Sequence, residues 1–434
     1  MSRRLLEGVR VVDITVVFAA PFITEILADL GAEVIKVENI HIWPTYTRGI
    51  TARPLKEEVD ESTGYPRGFP DDDPKDFAWE RDPWCLPLLR NKKSVTINAL
   101  TEEGQGYLRR LVAASDVVVE NNLPSTIERI HATYEELCQH RPDLIMLRAP
   151  AFGLSGDYKY RRAFGDHIEA LIGYRLFAGY EDADPTRSSP VAAGDYMNAA
   201  YGLFAVLAAI FHRDRTGEGQ LIELPQAESS AHMLTQAIVD FAVNGRVQER
   251  LGNRDFQGYA PNGVYRCSGD DRWVAITVTS DEEWAAFCRV IERPDIAVDP
   301  RFAAADAREA HQDDLDAIVG GWTAGCDAGD VTQRLQSAGI AAGPVMDGRD
   351  ALASPQLRER GFWERIEHRF TGTWDWPGPP FRLSAMASSP SLPPPGLGEH
   401  NEYVYKEVIG VPDEEYRDLV ERGEIGTAFA PNIL

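Results

Sequence analysis

The sequence predicts an α/β protein built on a doubly wound parallel sheet, and three observations predict it. Residues 9–37 read as strand, helix, strand; the same alternation runs on to residue 150; and no internal repeat competes with it. Val9 to Ile14 is an apolar run rich in β-branched residues, as expected of a strand buried on both faces. Ala19-Ala20-Pro21 breaks that run, and proline suits the first turn of a helix. Phe22, Ile26 and Leu30, with Ile23 and Leu27 beside them, make one helical face. Gly31 suits the C-terminal cap, and Val34 to Val37 is the next strand. Two strands joined by a helix pair in parallel.

Residues 41–90 differ in texture. They are rich in Pro, Trp, Tyr and acidic groups and read as a long surface excursion with little regular structure, either a plain insertion or part of a substrate entrance. Further strands are expected at 95–98, 117–119 and 144–147. Helices between them carry Leu108, Leu111 and Val112, then Ile127, Ile130 and Leu137. A helix follows near 168–173, a long apolar helix spans 197–212, a strand spans 221–224 and a helix spans 226–242. From Tyr259 the pattern becomes a hairpin, 263–267 with 273–278, and then helices to about 337. A strand at 341–346, a Pro-rich traverse of limited regular structure over 374–395 and a last helix at 413–422 complete the chain.

Composition narrows the function. The chain has 434 residues, 44% of them apolar, with 68 acidic against 44 basic side chains and a formal net charge of −24. Such a charge opposes nucleic acid and anionic membranes, and an anionic ligand would need a local basic pocket. Five scattered cysteines without a CxxC pair suit a reduced, cytoplasmic protein with no metal cluster. The start has no apolar secretory region, and the apolar stretch Tyr201 to Phe211 is too short to span a bilayer.

The opening unit invites a nicotinamide reading, but no glycine lies between Ile14 and Pro21, so the backbone could not approach a pyrophosphate as that fingerprint requires. Phosphate-binding GxxxxGK[ST], zinc HExxH and GxSxG nucleophile motifs are also missing.

Several short pieces in a fixed order remain. They are Leu6-Glu7-Gly8-Val9-Arg10-Val11-Val12-Asp13, Ala28 through Glu38, Asn91-Lys92-Lys93-Ser94-Val95, Asp116 through Asn121, and Arg213 through Gln220. Gly252-Asn253-Arg254, Gly263-Val264-Tyr265, Ala338 through Val345, and Leu397-Gly398-Glu399-His400-Asn401 follow. Together they resemble the family III CoA-transferases, the CaiB/BaiF group that includes formyl-CoA transferase, carnitine CoA-transferase and α-methylacyl-CoA racemase. The resemblance covers nearly the whole chain.

It implies a Rossmann-like large domain made from N- and C-terminal parts, a smaller α+β domain, and an interlocked homodimer. The corresponding divisions are 1–225 for the large domain, 226–258 as linker, 259–345 for the small domain and 346–434 for the return. It also implies an acyl-CoA donor and a carboxylic acid acceptor as substrates, coenzyme A being carried between them, with no permanently bound cofactor and no metal. Asp166 falls where the family places its nucleophile, with His167 and Glu169 as neighbours able to share or replace its role. Read without the family, Asp166 would be a helix N-cap and His167 a polar residue at a helix start. For CoA, the resemblance points to Val17 and Ala19 on the strand-end crevice and to Asn121 and Arg129 on the nucleotide. Lys36, Arg90, Lys92 and Lys93 are candidates for its phosphates. A racemase of the same fold, which would need a histidine base that His131 and His140 are not placed to supply, and a non-catalytic acyl-CoA-binding paralogue are the competing expectations.

Overall fold

A computed structural model describes residues 4–44, 46–61, 68–184, 193–254, 256–386 and 391–433. The chain forms two compact units: residues up to 172, 191–235 and 358 onward make one, and residues 173–190 with 236–357 make the other. The expected linker 226–258 is thus divided between the two, and residues 346–357 fall in the second unit rather than in the C-terminal return.

The first unit is a doubly wound α/β layer structure. Its strands are β1 (Arg10–Ile14), β2 (Glu33–Glu38), β3 (Lys93–Thr96), β4 (Val117–Glu120), β5 (Ile145–Arg148) and β6 (Gln220–Glu223). They are all parallel, in the order β3-β2-β1-β4-β5-β6. Period-two alternation sends neighbouring residues into opposite cores. Val12, Ile35, Val118 and Met146 pack with Leu108, Leu111 and Ile127, and with Val404 and Tyr405 from the chain's end. Val11, Val34, Val117, Val119, Ile145 and Leu147 pack on the other face with Ile23, Leu27, Ala199, Val206 and Ala209. Both faces being covered explains why the strands read as continuous apolar runs.

Three expectations are corrected here. Among the described residues of 41–90 the chain is not a plain surface excursion: Ala52, Trp79, Leu86 and Leu89 are buried, and so is Arg48, while Leu55, Phe77 and Trp84 are exposed. Arg48 donates to Glu38 Oε1 from Nε at 2.6 Å and to Glu80 Oε2 from Nη1 at 2.7 Å, while Glu80 Oε1 accepts from Leu397 N–H at 2.7 Å. The polarity that suggested a loop is consumed by this internal network. The Pro-rich traverse contains a strand, β11 (Gly372–Pro377), paired antiparallel with β10 (Trp363–His368). The long apolar helix is Ala193–Thr216, 24 residues, long and apolar enough to cross a membrane by those measures alone. It packs against the Ala19–Asp29 helix through Gly202, whose missing β-carbon leaves room for Ile23.

The second unit holds the antiparallel sheet β7 (Asn262–Arg266), β8 (Trp273–Thr277) and β9 (Ala341–Pro344), in that order, with the expected hairpin joining the first two. Its core gathers Val274, Ile276, Trp284, Phe287, Phe302, Leu315, Val319, Val331 and Leu335.

Candidate active site

In a parallel sheet of this order the strand connections diverge between β1 and β4, and the crevice beyond their carboxyl ends is where ligands bind. Asn121, just past β4, clamps the chain leaving β1: its Oδ1 accepts from Val16 N–H at 2.8 Å and its Nδ2 donates to Val16 O at 2.8 Å. Asn122 Nδ2 donates to Ile14 O at 2.7 Å. Val17 N–H donates to Thr47 Oγ1 at 3.3 Å, and Val17 stands at φ 66°, a conformation that a β-branched residue rarely takes. Such strain is held only where the surroundings over-determine it. The turn thus needs no glycine because Asn121 and Thr47 fix its backbone.

Aromatic contacts tie this turn to the expected nucleophile. Phe18 packs edge-on against Tyr196 at 5.0 Å between ring centroids, and Tyr46 against Phe164 at 5.6 Å. Phe164 caps the Gly165–Leu171 helix and Tyr196 lies in the first turn of the Ala193–Thr216 helix. Residues 16–18, 46–47, 164–166 and 195–196 therefore meet at one place.

Asp166 is exposed and occupies the first turn of its helix, where the positive end of the helix dipole favours a carboxylate. It is not the N-cap; that position belongs to Phe164, whose N–H donates to His167 Nδ1 at 3.2 Å. His167 thus serves the helix start. Glu169, one turn on, is 1% exposed. Near these carboxylates, against Gly165, stands a third that sequence reasoning missed, Asp195, 9% exposed. Burial, then the charges of Glu169 and Asp166, push its carboxyl up to about 7. The signal that could have found it is an aspartate opening an otherwise apolar helix.

The expected CoA contacts separate into two groups. Val17, Ala19, Asn121 and Arg129 follow the carboxyl ends of β1 and β4, Arg129 being exposed and Ala19 buried at the start of its helix. The four basic residues are not with them. Lys36 is 1% exposed, its Nζ 3.1 Å from Asp13 Oδ1, and it also donates to Thr15 O. Lys92 is buried with Nζ 2.9 Å from Asp13 Oδ2 and 2.7 Å from Thr24 Oγ1. Burial opposes the charge on Asp13, but Lys36 and Lys92 overcome it and hold the carboxyl well below the usual range. Arg90 is buried, with Nη2 2.6 Å from both Glu25 Oε1 and Asp29 Oδ2. Lys93 opens β3 at the amino edge of the sheet, 3.0 Å from Glu33 Oε1 and over the Tyr403 ring. Three of these cations are consumed inside the fold and the fourth lies at the wrong edge, which corrects their assignment to phosphates.

A cleft of about 300 Å³ lined by Phe152, Ser155, Tyr158, Pro225 and Glu228 lies among the loops after β5 and β6. It contains none of the three carboxylates.

A doubly wound α/β unit with a strand-end crevice, no glycine turn there and three carboxylates nearby lacks the dinucleotide fingerprint. The chain belongs to CoA-transferase family III, whose model matches residues 6–401, and it is a transferase acting on CoA thioesters. It is 31% identical over 412 residues to a succinyl-CoA–D-citramalate CoA-transferase of Chloroflexus aurantiacus, covering 95% of this chain and 96% of that one. It is 28% identical to a mouse succinyl-CoA:glutarate CoA-transferase, covering 98% and 91%. Among solved structures, a CaiB/BaiF family protein from Brucella suis superposes with a TM-score of 0.79 at 28% identity, covering 94% of this chain and all of that one.

Proposed function

We propose that the protein moves CoA from a dicarboxylic acyl-CoA such as succinyl-CoA to a free carboxylic acid, through a covalent intermediate on Asp166. The observation that carries this reading is the meeting of the Asp166 helix start with the Val16–Phe18 turn through the Tyr46–Phe164 and Phe18–Tyr196 contacts. The succinyl donor is suggested by the names of the relatives.

The ionised Asp166 attacks the donor thioester carbonyl; the C–S bond breaks, giving a mixed anhydride and CoA thiolate. The thiolate attacks the Asp166 carbonyl, releasing the donor acid and leaving an aspartyl-CoA thioester. The acceptor carboxylate then reverses both steps. One thioester replaces another of similar energy, so no energy source is consumed. The Val17 and Ala19 turn, Asn121 and Arg129 would hold the nucleotide end.

Incubation with succinyl-CoA followed by hydroxylamine or borohydride, with peptide mapping by mass spectrometry, tests the reading: the mark is expected on Asp166 and is lost in Asp166→Ala. An α-proton exchanged into deuterated solvent with no covalent mark would instead select a racemase. The exposed apolar side chains Phe204 and Phe211, and separately Ile238, Val239 and Phe241, support a dimer that interlocks two copies. Light scattering on the purified chain tests it, a monomeric mass counting against it.

A further inference from the structure

We propose that Asp195 is a second catalytic residue, an acid–base that gives its proton to the CoA sulfur as the thioester breaks and takes it back as the sulfur re-attacks. The proposal rests on Asp166 being the nucleophile. Its own foundation is geometric. Asp195 is 9% exposed, and the charges that act on it most strongly are those of Glu169 and Asp166, both acidic. A carboxyl largely withdrawn from water beside two other carboxylates is costly to ionise. Its carboxylate lies against the backbone of Gly165: a β-carbon there would stand 3.0 Å from Asp195 Oδ2. The residue next in the chain is Asp166. Tyr196, adjoining Asp195, packs on Phe18 and Phe22 of the crevice turn. Asp195 thus lies against the start of the helix that carries Asp166, and its neighbour Tyr196 packs on the crevice turn.

The charged groups facing it are both acidic, Asp166 and Glu169 on the Gly165–Leu171 helix. The Gln226–Ala231 helix brings the Ser230 hydroxyl against Gly194 and carries one charged group, Glu228, also acidic. The Ala19–Asp29 helix and its cap bring Phe18 and Phe22 up to Tyr196, with Glu25 acting on that tyrosine. Burial, then the acidic neighbours Glu169 and Asp166, favour the proton on Asp195.

Acylation changes this balance. As the Asp166 oxygen bonds to the acyl carbon, Asp166 loses its negative charge, and the C–S electron pair leaves on sulfur. The repulsion that held the proton on Asp195 falls as thiolate appears. The proton passes from Asp195 to sulfur, giving a thiol and an Asp195 carboxylate. In the next step the thiol returns the proton to Asp195 while sulfur bonds to the Asp166 carbonyl and the donor acid leaves as its carboxylate. No proton is gained or lost over the exchange. A carboxyl titrating near neutrality matches a thiol for such transfer.

The test is Asp195→Asn, which keeps shape but cannot exchange a proton, assayed by succinyl-CoA exchange with isotopically labelled succinate across pH 5.5–9 and by trapping at Asp166. The wild type is expected to lose kcat/KM as pH rises through about 7. The variant should be slower by about 100-fold, lose that alkaline limb and still carry the mark on Asp166. Wild-type rates and an unchanged pH profile, with the mark on Asp166, would overturn this proposal alone. A mark on Asp195 itself would make it the nucleophile and overturn its proton role. No mark, with Asp166→Ala still active, would overturn the Asp166 reading and this one with it. If the variant does not fold, the wild-type rate in D2O decides: a normal solvent isotope effect on kcat supports proton transfer, and its absence overturns it.

Discussion

The carboxylate of Asp195 sits 3.0 Å from the point a β-carbon on Gly165 would occupy, so these two residues share a space that only one side chain can fill. A contact that short is tighter than ordinary van der Waals packing, and the Asp195 side chain would have to give way. Gly165 is helical, so its backbone accepts alanine without strain. Gly165→Ala is therefore expected to leave the melting temperature within a few degrees while lowering kcat at least about 10-fold, an effect on geometry that about 1.4 kcal/mol of misplacement produces. Equal activity in the variant would show that Asp195 need not sit against residue 165.

Val17 provides a second test, of strain at the crevice. Its φ of 66° costs a β-branched residue about 1–2 kcal/mol, and glycine relieves that at about 0.5–1 kcal/mol of added chain entropy. Val17→Gly should match or slightly exceed the wild type in denaturant midpoint, yet raise KM for succinyl-CoA several-fold as the turn loosens. A clear loss of stability would mean that the valine side chain, and not the strained backbone, dominates here.

The strand and helix pattern of the first unit was legible because burial on both faces writes itself as apolar runs, as in Val117-Val118-Val119. Val17 and Asn121 came from the family resemblance, and both follow strand ends in the structure. What was hidden is charge that folds inward. Lys36, Arg90 and Lys92 look like phosphate ligands in an acidic chain because sequence spacing does not reveal Asp13, Asp29 and Glu25 as their partners. Arg48 hid the same way, and with it the internal network it forms with Glu38 and Glu80. Asp195 was missed because its meaning depends on Gly165 and Glu169, 30 and 26 positions away.

Asp195 also carries a stability prediction separate from catalysis. Its folded-state carboxyl is raised to about 7, from about 4 in an unfolded chain. A raised acid stabilises the fold fully below the unfolded value, and that contribution is lost as pH climbs through the folded one. The wild type should therefore lose on the order of 2–4 kcal/mol between pH 4 and pH 8 from this group. Asn cannot ionise, so urea midpoints for Asp195→Asn should overtake the wild type at pH 8, with the gap closing toward pH 5. A gap that is constant with pH would remove Asp195 from the account.

The opposite sign applies at Asp13, where Lys36 and Lys92 converge on one carboxylate. Its depressed pKa makes the contribution present above about pH 4 and lost on further acidification. Asp13→Asn removes that contribution at every pH and leaves two ammonium groups buried together, so a cost of about 3–5 kcal/mol is expected. Lys92→Met removes one of the two ammoniums and leaves Asp13 paired with Lys36 at 3.1 Å, a single balanced ion pair. It should therefore cost less than Asp13→Asn. Denaturant unfolding of the two variants at pH 7 ranks them, and the reverse order would mean that Lys92, and not Asp13, anchors the cluster beneath the crevice.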